Sequence, residues 1–349
     1  MKVFVGFFLV TLMLFCVVCV GQSKDSVLFQ QYVADKQIFD DFEAEHRHFF
    51  QSKHVKLSYL SWGDPSKDAF VWLPGSLLSA YDFQPFADYL TQAGYFVISV
   101  DHYGHGLTPI PKSDADFSDF ALDLSDLLKH LNIEKAIVGG FSRGGYLATA
   151  FYKEFPSQVK ALILEDGGSV GFSIPFNKMT DEQLTTFLQD VEPGADIKKL
   201  YLGEYDSEFQ VYANLYDKES AGSQFQNFGF IRRKGDKWIS YHGLDDYMHT
   251  QNGINYRQLI FQTDSVSRYA RSISVLSPEK VYANLNVPLL ILEAVGSPDL
   301  FDMQLENQSF AQRYPDLVTY RAFSCSNHNI HQGCPQEFVA TLTQFLLTI

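Results

Sequence analysis

The stretch AIVGGFSRGGYLATAF, Ala136 to Phe151, joins a β-branched apolar run to a helix-forming segment through four glycines gathered about one serine. It fits G-x-S-x-G at Gly140, Ser142 and Gly144. A strand-to-helix turn this tight strains the serine's backbone and exposes its hydroxyl, and small neighbours let the chains approach closely. The amide of the next residue, Arg143, then faces the same point from a helix start, where it can bind an oxyanion. Glycine-rich turns also arise for backbone reasons alone, so the pattern needs partners before it carries chemistry.

A hydroxyl becomes a useful nucleophile when a histidine takes its proton and a carboxylate fixes that histidine's tautomer. LLILEAVGSPDLF places Asp299 on a turn just past an apolar strand, and YRAFSCSNHNIHQGCPQEF places His328 just past the following one. The chain order Ser142, Asp299, His328 is a known order for such a triad. Asp166, in LEDGG, also follows an apolar strand and is the rival acid. His331 is the rival base.

Around these positions, short apolar runs alternate with longer amphipathic ones. VKLSYLSWGD, DAFVWLPG, YFVISV, KAIVGGFS, KALILE, VPLLILEA and VTYRAFS read as strands. DFQPFADYLTQAG, DFALDLSDLLKHLNI, GYLATAFYKEF, LENQSFAQRY and PQEFVATLTQFLL read as helices. The alternation predicts an α/β fold with a doubly wound, mostly parallel sheet. Val27 to Phe50 has helical spacing and reads as a surface helix leading into it. Residues 170–285 break the rhythm: helical pieces, a hairpin turning at Lys234-Gly235-Asp236 and many aromatics are too long and too apolar for a loop. They read as an inserted, mainly helical cap between core segments 22–169 and 286–349. Trp238, Tyr241 and His242 in that hairpin either line a pocket or pack the cap.

The elbow, VDHYGHGLT about Asp101, GSPD and HNIHQGCPQEF together resemble the α/β-hydrolase superfamily, and within it the capped serine hydrolases. The resemblance runs from about Val55 to the C-terminus, the cap excepted. It implies Ser142 as nucleophile, Asp299 as acid and His328 as base, with Pro335 opening the final helix seven residues after the base. It implies a bracing role for Asp101 and His105; His102 is not placed by it. The second oxyanion amide is that of Ser76, in WLPGSLLSAYDF, by position. Relatives carry His-Gly where this chain has Pro74-Gly75, so the histidine that usually organises the loop is absent. Serine at the elbow argues against epoxide hydrolases and haloalkane dehalogenases, which place aspartate there. Neither metal nor organic cofactor is implied.

The 349 residues carry a formal charge of -14 with no basic cluster, which sets the chain against nucleic acid and anionic lipid surfaces. One lysine, an apolar run from Val3 to Val20 and small Gly21 read as a signal peptide over 1–21. The run also suffices to span a bilayer, so an uncleaved anchor is the alternative. The body is expected to be exported, secreted or periplasmic. Cys16 and Cys19 would leave with the leader; Cys325 and Cys334 are then either a disulfide or two buried thiols. Asn307-Gln-Ser309 is a glycosylation sequon. The expected function is hydrolysis of an ester or amide bond in a small molecule through an acyl-enzyme. A proline-releasing aminopeptidase is the alternative, with Asp245 and Asp246 as candidates for the substrate's amino group. A non-catalytic binder on the same fold is the third reading.

Overall fold

The computed structural model describes residues 24–191, 203–240, 247–297 and 302–349. The leader, with Cys16 and Cys19, lies outside them, as do Tyr241, His242, Asp245, Asp246 and Asp299. Among the described residues six strands precede the cap: β1 (Arg47–Gln51), β2 (Lys56–Trp62), β3 (Asp68–Leu73), β4 (Tyr95–Val100), β5 (Ala136–Phe141) and β6 (Val159–Glu165). The cap carries β7 (Glu204–Tyr205), β8 (Ile231–Lys234) and β9 (Lys237–Ser240) as a small separate sheet. After it come β10 (Leu289–Ala294) and β11 (Val318–Phe323). The main sheet runs β1-β2-β4-β3-β5-β6-β10-β11, antiparallel at β1/β2 and β2/β4 and parallel elsewhere. β5 and β10 are buried at every position, which is why they read as unbroken apolar runs rather than alternating ones.

Helices cover both faces of the sheet. On one side α3 (Phe117–His130) and α4 (Arg143–Glu154) pack over Val71, Val138 and Leu162. On the other, α2 (Gln84–Gln92) and the C-terminal helix Pro335–Leu346 pack over Phe70, Trp72 and Ile163. α3 starts at Asp116, whose carboxylate accepts the amides of Ser118 and Asp119 while Asp119 returns a bond to the Asp116 amide. The carboxyl ends of β3, β5, β6 and β11 all open on one edge, where a parallel sheet of this kind binds ligands.

The N-terminal helix, α1 (Lys24–His46), stops short of the predicted Phe50. From Arg47 the chain is an edge strand paired with β2, from Arg47 opposite Leu60 to Gln51 opposite Lys56. Ladder bonding to β2 outcompetes the helical spacing that continues into RHFFQ. α1 also contributes to the cap's core, with Leu28, Tyr32 and Phe39 against Tyr212 and Phe228. Asp35 sits fully buried there and accepts bonds from Tyr212 Oη, Ser223 Oγ and the Gln224 amide. Burial pushes its carboxyl up, but those donors outweigh it and hold it below the usual carboxylate range.

Within the cap, the predicted hairpin is β8 and β9, turning at Gly235 with φ 63°. Trp238 packs against the cluster shared with α1, so it is cap core. Longer cap helices that the sequence reading did not name include Gly253–Phe261 and Arg268–Val275. The second docks on the core through Arg268, which pairs with Asp116 and bonds the Asp114 carbonyl. Among the described residues no helix is long and apolar enough to cross a membrane.

One buried cluster ties the C-terminal segment to the rest. His331 Nδ1 lies 2.8 Å from Glu165 Oε2, and its Nε2 lies 2.9 Å from Asp82 Oδ1, all three side chains being fully buried. Glu165 Oε1 also accepts the amides of Ile330 and His331, at 2.7 and 2.9 Å. Burial alone would lower the histidine's pKa, but the two carboxylates overcome it and raise it to about 10. A disulfide joins Cys325 to Cys334 across the same segment.

Because the folded pKa of His331 lies above its unfolded value, its stabilising effect is complete below about pH 6.5 and is lost as pH rises through about 10. Stability against denaturant should therefore fall between pH 7 and 10 by on the order of 1.4 kcal/mol per pH unit from this group. His331→Gln should be less stable at pH 7 and lack that slope; a variant that keeps the slope would assign it elsewhere. Reducing the Cys325–Cys334 bond should cost about 2–3 kcal/mol on the chain-entropy model for so short a loop. Urea midpoints with and without reductant measure it.

Candidate functional site

β5 ends at Phe141 and α4 begins at Arg143, so Ser142 alone makes the turn. Its φ of 50° and ψ of -118° are strained for a residue with a side chain. The glycines permit the turn by close approach. A Cβ on Gly144 would stand 1.8 Å from the Leu73 carbonyl oxygen, and one on Gly140 2.3 Å from the Gly144 carbonyl. The opening bend therefore serves the serine: the hydroxyl projects from the sheet edge while its neighbours pack backbone on backbone.

His328 reaches this hydroxyl from the segment after β11, with Nε2 3.1 Å from Ser142 Oγ. Its Nδ1 lies 2.5 Å from Asp166 Oδ2. Asp166 is itself held at φ 46° directly after β6, and its Oδ1 accepts the Ala294 amide at 3.1 Å. The His328 ring rests against Phe141, with centroids 4.7 Å apart. Such a chain can draw a proton from the hydroxyl and stabilise the imidazolium that results. Asp299, the acid expected from the sequence, lies outside the described residues, and the carboxylate brought to Nδ1 is that of the rival, Asp166. Both residues follow apolar strands, and nothing in LEDGG or GSPD separated them by the direction each carboxylate takes.

The loop after β3 brings Ser76 beside Arg143. Among the described residues, neither backbone N–H meets an acceptor of the chain, as two amides waiting on an oxyanion require. In place of the missing loop histidine, two other groups brace this loop. The Arg143 Nε donates to Ser76 Oγ at 2.9 Å, and His102 Nε2 lies 3.4 Å from the Gly75 carbonyl. Burial first, then the neighbouring His105 and Arg143, hold the His102 pKa well below the usual value, so its ring is neutral. That leaves Nδ1 to accept from Tyr269 Oη of the cap at 2.8 Å, with Nε2–H directed at Gly75. His102, unplaced from sequence, therefore connects cap and loop.

Asp101 accepts from Arg47 Nη1, Ser58 Oγ and the amides of Ala80 and Leu107, so it braces its loop as the resemblance implied. His105 lies in the same loop, 3.7 Å from His102 ring to ring. Arg47 was missed, because an arginine in RHFFQ gives no hint of a buried partner fifty residues on. His331 faces Asp82 and Glu165, away from Ser142. Asn307 of the sequon is buried and donates to Glu293 at 2.9 Å, which makes it a structural residue in the folded chain. Ser142 and Asp166 line a small cleft with Tyr146, Phe172, Pro175, Ile273 and Met303, so the cap supplies an apolar roof.

A family model described as the α/β hydrolase fold matches residues 68–195. A Mycobacterium tuberculosis protein of uncharacterised function is 38% identical over 76 residues, 22% of either chain. A 2-hydroxy-6-oxononadienedioate/2-hydroxy-6-oxononatrienedioate hydrolase of Paraburkholderia phymatum is 37% identical over 109 residues, 30% of this chain and 38% of its own. The chain spans 22% to 41% of the length of the curated relatives it matches. Among solved structures, one from a study of carboxylesterases of Nitrososphaera gargenis superposes with a TM-score of 0.57 at 17% identity, over 86% of this chain and 98% of that one. Sheet order, the family model over residues 68–195 and the structural neighbours together show the α/β-hydrolase fold.

Proposed function

We propose that the chain is an exported serine hydrolase that cleaves an ester bond of a small molecule through an acyl-enzyme. The observation that carries the reading is the continuous path from Ser142 Oγ through His328 to Asp166, beside two amides with no acceptor of their own. Ser142 Oγ attacks the carbonyl carbon while His328 Nε2 takes its proton. The N–H groups of Ser76 and Arg143 hold the oxygen that gains charge, a contribution worth about 3–4 kcal/mol per donor in a related case. Asp166 keeps the proton of His328 on Nδ1 and offsets the imidazolium charge. His328 then protonates the leaving alcohol, and water repeats the sequence to release the acid and free Ser142.

Export is supported by the leader-like N-terminus and by the Cys325–Cys334 bond, which suits an oxidising compartment. An ester is favoured over an amide because the solved structures that superpose on the chain include carboxylesterases.

A fluorophosphonate probe should label wild-type protein at Ser142 and leave Ser142→Ala unlabelled; labelling at another serine would overturn the nucleophile. With p-nitrophenyl butyrate, Asp166→Asn should lose about 10⁴-fold in kcat, as when a triad aspartate becomes asparagine in a serine protease. Asp299→Asn should lose at most about tenfold, a supporting residue's share, by comparison with that loss. The reverse pattern on folded variants would return the acid to Asp299.

A further inference from the structure

Arg143 is 1% exposed, yet among the described residues it has no carboxylate partner. Its Nε is taken by Ser76 Oγ, while Nη1 is buried with no hydrogen-bond partner among the described residues. The guanidinium carbon lies over the rings of Phe117 and Tyr269, at 5.8 and 5.9 Å. The other groups it feels are Tyr256 and Tyr247 of the cap, which are neutral phenols, and His102. A guanidinium does not shed its proton at physiological pH, so this is a permanent cation held out of water with one N–H group orphaned. Folded chains keep such a group only where something else compensates it. Arg143 is also the residue beside Ser142, on the side of the oxyanion loop.

We infer that Arg143 binds a carboxylate carried by the acyl part of the substrate, so that the enzyme is selective for esters of short dicarboxylic acids. This rests on the serine-hydrolase reading and adds the substrate's charge to it. With Nε spent on Ser76, the terminal nitrogens remain, and their parallel N–H groups match the two oxygens of one carboxylate. A single cation with phenols around it suits a monoanion. The leaving group must lie toward His328, which protonates it, whereas Arg143 reaches toward Ser76 and His102, so the charge falls in the acyl half. The chain's overall charge of -14 offers such a substrate no long-range attraction, which leaves selection to this one buried group.

The test compares monoethyl glutarate with ethyl glutaramate, the same chain with an amide in place of the distal carboxylate, by ethanol release. Wild-type kcat/KM should favour the carboxylate at least tenfold. Arg143→Met should bring the ratio near one, Arg143→Lys should be intermediate, and Ser76→Ala, which removes only the acceptor of Nε, should retain the preference. Because Met relieves an uncompensated buried cation, Arg143→Met should also melt no lower than wild type. A wild-type ratio of one, which needs no variant, or a preference that survives in Arg143→Met, overturns the inference. Fluorophosphonate labelling separates the two layers: labelled protein with no preference removes this inference alone, and unlabelled protein removes the hydrolase reading with it.

Discussion

Two adjacent carboxylates at the end of β6 divide the work of holding the C-terminal segment. Glu165 takes the backbone of Ile330 and His331 together with the His331 ring, and Asp166 takes the ring of His328. The position of His328 relative to Ser142 thus depends on one strand end that neighbours β5 in the sheet. The inward carboxylate is buried against an imidazolium and pinned by two amides, so it cannot shift without leaving charge unpaired in a dry interior. That constraint sets the register between the two histidines and makes the outer carboxylate available to only one of them. Asp82, on the turn after the oxyanion loop, closes the cluster from the other side and links that loop to the same anchor.

The loop after β3 is otherwise held by groups that differ from those the family resemblance suggested. Arg143 and His102 reach it from the elbow helix and the loop after β4, and Tyr269 extends the contact to the cap. Cap and loop therefore share a polar contact through His102, which works as a neutral ring. A proton added to that ring would replace the acceptor Tyr269 needs with a second donor.

Much of this was legible in the chain, for identifiable reasons. Buried parallel strands announce themselves as apolar runs, and the elbow announces itself because close backbone approach at Gly140 and Gly144 tolerates no side chain. His328 was legible from its place after the last strand. The contact of Asp166 with His328 was not, since strand-end aspartates look alike until the direction of each side chain is known, and φ 46° at Asp166 leaves no trace in LEDGG. The end of α1 was missed because the helical spacing continues into RHFFQ, and only pairing with β2 makes that segment a strand. The role of Arg47 and the lone burial of Arg143 are tertiary facts, invisible to any local pattern.

Asp35 bears on what counts as a module in this protein. By sequence the cap is an insertion between β6 and β10, and α1 belongs to the other end of the chain. By bonding, Tyr212, Ser223 and Gln224 depend on a carboxylate supplied by α1. A cap exchanged with that of a relative would arrive without its counterpart and leave Asp35 buried among strangers. The transplantable unit is discontinuous: residues 24–46 and the insertion travel together, although more than a hundred and twenty residues of hydrolase core are threaded between them.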